Sequence, residues 1–263
     1  MSVALSLTQQ ALAVLSGVAV GFSLGLIGGG GSILAVPLLL YLVGYPNAHV
    51  VIGTTALAVA ATAYLNLLPH WRAGNVQWGP AIAFAIPGVL GAIAGSTAGK
   101  LVPAKQLLFL FAVLMLVVAA VMLRCRPNAA QAQEQTLMRW ERLLPVGFSV
   151  GLLSGFFGIG GGFLIVPGLL FASGMSMLQA IGSSLFSVGT FGLTTAASYA
   201  LSGLLDWRVA AEYIVGGFGG GVLGAALATR LGQRKSALTR IFAGVIVVVA
   251  AYMLYVNASA LRG

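Results

Sequence analysis

Acidic side chains are almost missing from this chain: four Asp and Glu stand among 263 residues, and all charged types together make up 6%. A soluble globule needs a charged surface, and a chain that is 59% hydrophobic, with a mean hydropathy of +1.03, cannot supply one. Scarcity of charge therefore excludes a soluble domain and points to a bilayer. Cys125 is the sole cysteine, which excludes an internal disulfide and a Cys-based metal site. Histidine is limited to His49 and His70, each near the end of an apolar segment, and no Ser/His/Asp or HExxH arrangement occurs. An intramembrane enzyme would lack its nucleophile, base or metal ligands, so we expect no catalysis, no cofactor and no metal. The net charge of +9 would suggest nucleic acid in a soluble protein. Here Lys and Arg flank apolar segments, where they anchor topology near anionic lipid, and no nucleic-acid partner is expected. The opening stretch, MSVALSLTQQALAV, has no basic region and is not expected to be a cleavable signal.

What the chain has in abundance is glycine and long apolar runs. Windows of about 20 apolar residues mark eight hydrophobic segments. They cover residues 10–43, 50–69, 78–99 and 106–123, then 143–172, 177–200, 209–228 and 239–257. The polar stretch 124–142 separates them into a first membrane repeat, 1–123, and a second, 143–263.

The two repeats are copies. Gly17, Gly21, Gly25, Gly28, Gly30 and Gly31 recur 130 residues later as Gly147, Gly151, Gly155, Gly158, Gly160 and Gly161. Farther along, the offset is 129. Ile52-Gly53-Thr54-Thr55 falls on Ile181-Gly182-Ser183-Ser184, Gly74 and Trp78 on Gly203 and Trp207, and Gly88, Gly91 and Gly95 on Gly217, Gly220 and Gly224. A membrane protein built twice from one design, with a helix break in each half, carries the signature of a small-solute transporter.

The first segment is too long to be one straight crossing. About 33 helical residues would extend on the order of 50 Å, against a hydrocarbon core of about 30 Å. The break is expected at Gly28-Gly29-Gly30-Gly31-Ser32, whose glycines are costly to order in a helix, with Pro37 lacking an N–H just beyond. Its counterpart is Gly158-Ile159-Gly160-Gly161-Gly162, ahead of Pro167. Broken backbone is tolerated at membrane depth only where protein buries it or it lines a polar cavity.

A first segment that goes in and returns gives each repeat an odd number of crossings, and the repeats are then inverted. In that arrangement Arg72, Arg124, Arg126, Arg139, Arg142, Arg230, Arg234, Lys235 and Arg240 share one side, nine of the 13 basic residues. Lys100, Lys105, Arg208 and Arg262 take the other. A single crossing would divide them six against seven. The positive-inside rule thus favours inverted repeats, a cytoplasmic linker at 124–142 and both termini periplasmic. The fold class is all-α: a polytopic membrane protein of two homologous four-segment halves with broken or re-entrant first helices.

Bare backbone N–H groups at the start of a half helix form a concave donor array with partial positive charge, which suits an anion. Because the glycines are consecutive, a ligand site is the preferred reading, and close helix approach is the alternative. A dinucleotide loop is rejected, since Phe163 stands where Gly158-Ile159-Gly160 would need its third glycine. Thr54, Thr55, Ser183 and Ser184 occupy symmetry-related places near the start of the next segments. They either cap helix N-termini or donate to a bound oxyanion. Thr62, Asn66, Gln179, Ser187 and Thr190 are individually expected to bond neighbouring backbone. Gly91-Gly95-Gly99, Gly217-Gly221 and Gly220-Gly224 put small residues on one helix face for close packing, within the chain or between protomers of a homo-oligomer. Asp206 and Glu212 stand at the entrance to segment seven, with a solvated helix end favoured over proton coupling at Glu212.

The paired patterns Gly25-Leu26-Ile27-Gly28-Gly29-Gly30-Gly31-Ser32-Ile33-Leu34-Ala35-Val36-Pro37 and Gly155-Phe156-Phe157-Gly158-Ile159-Gly160-Gly161-Gly162-Phe163-Leu164-Ile165-Val166-Pro167 resemble the TauE/SafE family of membrane permeases, the sulfite exporter group. That resemblance covers essentially the whole chain. It implies export of small sulfur-containing anions, sulfite or an organosulfonate, across a bacterial inner membrane. Another small anion, a carboxylate or a thiosulfate-like species, and a non-transporting membrane assembly or sensor protein remain as alternatives.

Overall fold

The computed structural model describes residues 5–124, 140–158, 162–230 and 235–257. The linker expected at 124–142 lies largely outside those residues, as do Gly160 and Gly161 of the second glycine run. The described chain is all helix, without a strand. Helix α1 (Leu7–Ile27) opens on a capping box at Ser6, whose side chain accepts the Gln9 N–H while Gln9 reaches back. It ends at Gly28, where φ 73 and ψ −147 reverse the chain. A return arm, α2, follows as a 3-10 helix (Gly28–Leu34), one α turn (Ala35–Pro37) and a π turn (Leu38–Leu42). Poor helix propensity in the glycine run and the missing N–H of Pro37 account for this irregularity. Then come α3 (Ala48–Arg72), α4 (Trp78–Leu101) and α5 (Ala104–Arg124). The second half repeats the order with α6 (Trp140–Phe157), α7 (Gly162–Ser173), α8 (Met177–Leu201), α9 (Trp207–Arg230) and α10 (Lys235–Asn257).

Each first segment is a hairpin. Gln9 Nε2, at the start of α1, donates to the Val43 carbonyl just past α2 at 3.1 Å, so the arm comes back to where α1 began. In the second half the Arg142 guanidinium, at the start of α6, lies 6.0 Å from the Phe171 ring near the end of α7. Expected segments one and five therefore break where the glycines stand and return.

The repeat is visible in the backbone itself. Among the described residues all positive-φ positions are glycine, and they form three pairs: Gly28 with Gly158, Gly44 with Gly174, and Gly74 with Gly203. The first two pairs keep the offset of 130 and the third has 129. The N-caps Asn47 and Ser176 already stand 129 apart, so the shortened element is the turn between return arm and next helix.

The halves interleave. α1 lies along α9, with Gly17 against Tyr213, Gly21 against Gly217 and Gly25 against Gly221, so the two run parallel. The counterpart pairs α6 with α4: Gly147 meets Phe84, Gly151 meets Gly88 and Gly155 meets Ala92. At Gly17, Gly21, Gly25, Gly147, Gly151 and Gly155 a Cβ would run into the facing helix's backbone, so hydrogen alone permits the approach. Gly91, Gly95 and Gly99 likewise meet Phe148, Leu152 and Phe156 of α6. The small-residue faces read as packing devices are thus used inside the chain. The paired central helices α3 and α8 run antiparallel: Gly53 meets Tyr199 and Leu204, Gly189 meets Tyr64, and Gly182 meets Asn75. α5 packs on α10.

Large apolar side chains remain on the outside, Ile86 at 63%, Val215 at 69% and Val248 at 70% exposed. Among the described residues five helices are long and apolar enough to cross a membrane, over Leu7–Ile27, Ala48–Arg72, Trp78–Leu101, Leu178–Leu201 and Trp207–Ala228. An apolar exterior of this extent belongs in contact with lipid tails.

Candidate functional site

The two helix breaks meet. Gly29 and Gly162 face each other so closely that a Cβ on either would collide with the other's backbone. Each break also rests on the opposite half: Gly28 against Ile181 of α8, Gly158 against Ile52 of α3. The crossing is buried, and Gly28, Gly29, Gly31 and Ser32 lie within it, Ser32 fully covered. Gly30 continues the same 3-10 helix.

The hydroxyls placed here by sequence divide into two groups. Ser184 Oγ accepts the Gly29 N–H at 3.3 Å and donates to the Ile181 carbonyl at 2.8 Å. Thr55 Oγ1 donates to the Val51 carbonyl at 2.8 Å, and Ser32 Oγ to the Gly29 carbonyl at 2.9 Å. These three spend their protons on backbone. Thr54 Oγ1 instead accepts the Asp206 N–H at 3.0 Å, and Ser183 Oγ accepts the Gln77 N–H at 2.9 Å. The latter pair is exchanged symmetrically between halves: each ties the start of one half's helix to the loop leading into a helix of the other. As caps of their own helices the four are displaced, because α3 and α8 begin earlier and Asn47 and Ser176 cap them.

One end of the molecule carries a buried acid. Asp206, 5% exposed, accepts from the Tyr45 hydroxyl through Oδ2 at 3.0 Å. Its Oδ1 takes the Arg208 and Val209 N–H groups at 3.1 and 3.2 Å, capping α9. At the opposite end the corresponding residues are Met175 and Gln77, so pseudo-symmetry of fold is not symmetry of charge. Sequence reasoning placed Asp206 at a helix entrance and missed Tyr45; an Asp directly before the segment-opening Trp207-Arg208 was the available signal. Glu212 pairs with Arg208 at 3.4 Å across one turn of α9. Arg208 is 66% exposed there, so the pair is a surface contact of small energetic weight.

Of the isolated polar residues, Thr190 Oγ1 donates to the Phe186 carbonyl at 2.8 Å, and Gln179 Oε1 accepts the Ser176 N–H at 3.1 Å, as expected. Asn66 and Ser187 depart from expectation: Asn66 Nδ2 and Ser187 Oγ are buried with no partner among the described residues.

An all-helical bundle with a lipid-facing exterior, two copies of one hairpin-led unit and two backbone breaks in buried contact defines a multi-pass membrane protein. The chain belongs to the family described as sulfite exporter TauE/SafE, whose sequence profile matches residues 13–253. It is 52% identical over 253 residues to a probable membrane transporter protein of Xylella fastidiosa (strain 9a5c), covering 95% of this chain and 97% of that one. A probable membrane transporter protein of Bacillus subtilis (strain 168), YdhB, is 28% identical over 209 residues, 78% of this chain and 84% of its own. A third, from Haemophilus influenzae, is 32% identical over 203 residues, 73% and 74% of the two chains. Family and relatives together make this protein a membrane transporter.

Proposed function

We propose that the protein carries small sulfur oxyanions, sulfite or an organosulfonate, out across the cytoplasmic membrane, with the substrate held where the two helix breaks meet. The observation that carries this reading is the contact of Gly29 with Gly162, which sets the first glycine run against the residue that opens α7. The first N–H groups of a 3-10 helix have no intrahelical partner, and that of Gly29 already turns to Ser184. Gly28 to Gly31 and Ser32, Gly158 and Gly160 to Gly162, with Thr54, Thr55, Ser183 and Ser184, form the binding region. Such uncharged donors suit an anion of delocalised charge, and the membrane potential, negative inside, drives its exit.

Alternating access follows from inverted halves. Return arms make five passages per half, and the antiparallel α3–α8 pair supports inversion, with the linker inside and both termini outside. Two single cysteines in a Cys125-free background test it. Ala73→Cys, after α3, is expected to react with an impermeant thiol reagent only in inverted vesicles. Ser202→Cys, after α8, should react only in intact cells with a permeabilised outer membrane. Reaction of both from one side would contradict inversion.

Uptake into proteoliposomes tests the substrate. Radiolabelled sulfite is expected to accumulate when the lumen is made electrically positive and to be displaced by unlabelled sulfite and methanesulfonate. Accumulation of a carboxylate such as succinate with no response to either sulfur anion would reassign the substrate class.

A further inference from the structure

We infer that Asn66 and Thr195 are two further substrate contacts, one beside each helix break, which donate hydrogen bonds to the anion's oxygens; the assignment rests on the anion-transport reading above. The two residues are equivalent in the repeat, 129 positions apart. Asn66 is 2% exposed and Thr195 0%, and neither Asn66 Nδ2 nor Thr195 Oγ1 has a hydrogen-bond partner among the described residues. A threonine in a membrane helix, buried or not, commonly donates to the carbonyl four residues back. Thr55, Thr97, Thr190 and Thr194 all do so here, each at 2.8 Å. Leaving a buried donor unmatched is costly, and here that cost falls at the same position of both halves. A ligand that arrives to accept those donors explains both.

Their placement agrees. His70, one turn beyond Asn66, has Nε2 3.4 Å from the Gly25 carbonyl oxygen, and Gly25 stands three residues before the first break. Asn66 is directed toward α9 at Gly221, where a Cβ would lie 2.6 Å from Nδ2 and 2.8 Å from Cγ, so only glycine leaves room for the carboxamide. Thr195, four residues ahead of Tyr199 on α8, is the repeat equivalent of Asn66, as Gly155 and Gly158 are of Gly25 and Gly28. The carboxamide and the hydroxyl carry no charge, and a weakly held oxyanion can leave such donors, as transport requires. Because α3 and α8 are antiparallel, the two donors lie toward opposite ends of the bundle and act as successive stations.

The test compares purified full-length wild type with Asn66→Leu, Thr195→Val and the double variant. Radiolabelled sulfite uptake into proteoliposomes is measured beside thermal unfolding in detergent, with and without sulfite. Each single variant is expected to raise KM about tenfold, the loss of one hydrogen bond to a charged acceptor, and the double variant to show no saturable uptake. Tm without sulfite should hold or rise, since each change removes a buried polar group that lacks a partner. Wild-type KM in both single variants overturns the assignment and leaves anion transport standing; a wild type that neither takes up nor is stabilised by sulfite overturns the transport reading itself. If Asn66→Leu is not recovered folded, Asn66→Ala and Thr195→Ala carry the comparison through the sulfite-induced rise in Tm, and an undiminished rise overturns the proposal.

Discussion

Alanine at Gly28 is expected to destabilise the protein severely, while alanine at Gly44 is expected to be tolerated, although both glycines have positive φ, 73° and 76°. A left-handed conformation costs an L-residue about 1–2 kcal/mol at either place. Gly44 adds nothing to that, since no heavy atom lies within 4 Å of where its Cβ would stand. At Gly28 the new Cβ would lie 2.9 Å from Ile181 Cγ2 and 3.1 Å from the Ile181 Cα and carbonyl oxygen. The ψ of −147 there also falls where essentially only glycine goes. Overlap with a packed helix adds about 1–3 kcal/mol to the strain. Thermal unfolding in detergent should show a drop for Gly28→Ala several times that for Gly44→Ala, with Gly158→Ala, φ 68 and set against Ile52, matching the former. Equal small drops at Gly28 and Gly44 would mean that the first break is not packed against α8.

Valine at Gly29 or at Gly162 should bring sulfite uptake to the level of empty liposomes. Seen from either glycine, the atoms that a new side chain would strike are the other's backbone, which has no rotamer to yield. The arms must then separate, and the two donor runs no longer share one site. Alanine in the same places should give a partial loss, because it inserts one methyl rather than a branched group. Initial rates in proteoliposomes, corrected for reconstituted protein, decide the matter. Wild-type rates in Gly29→Val would show that the arms need not touch for transport, and the binding region proposed at their contact would have to be abandoned.

The break positions, the return of the first segment and the shared architecture of the halves were legible because they rest on local chemistry. Consecutive glycines cannot hold an α-helix, proline removes a donor, and an apolar run longer than the bilayer must fold back. The spacing of Gly91, Gly95 and Gly99 announced close packing for the same reason: one face without side chains is a property of the helix alone. The identity of the partner was not legible. That α6 fills the groove beside α4, and α9 the one beside α1, depends on residues many positions away meeting in space.

Hydrogen bonding divides along the same line. The capping boxes at Ser6 with Gln9 and at Ser176 with Gln179 lie within four residues and follow from sequence. Thr54 with Asp206 and Ser183 with Gln77 join residues 152 and 106 positions apart, and no local pattern distinguishes them from helix caps. The same holds for Asn66. Its chemistry makes a backbone bond the ordinary outcome, and only the bundle, which sets it over bare Gly221 with no hydrogen-bond partner among the described residues, decides that the donor is left available. Composition and periodicity alone determined that this chain is a duplicated membrane protein with a break in each half, since burial in lipid and helix propensity act on neighbours. The tertiary structure decided which breaks meet, which glycines receive a facing backbone and which polar groups keep a donor free, because those depend on long-range packing of two interleaved halves.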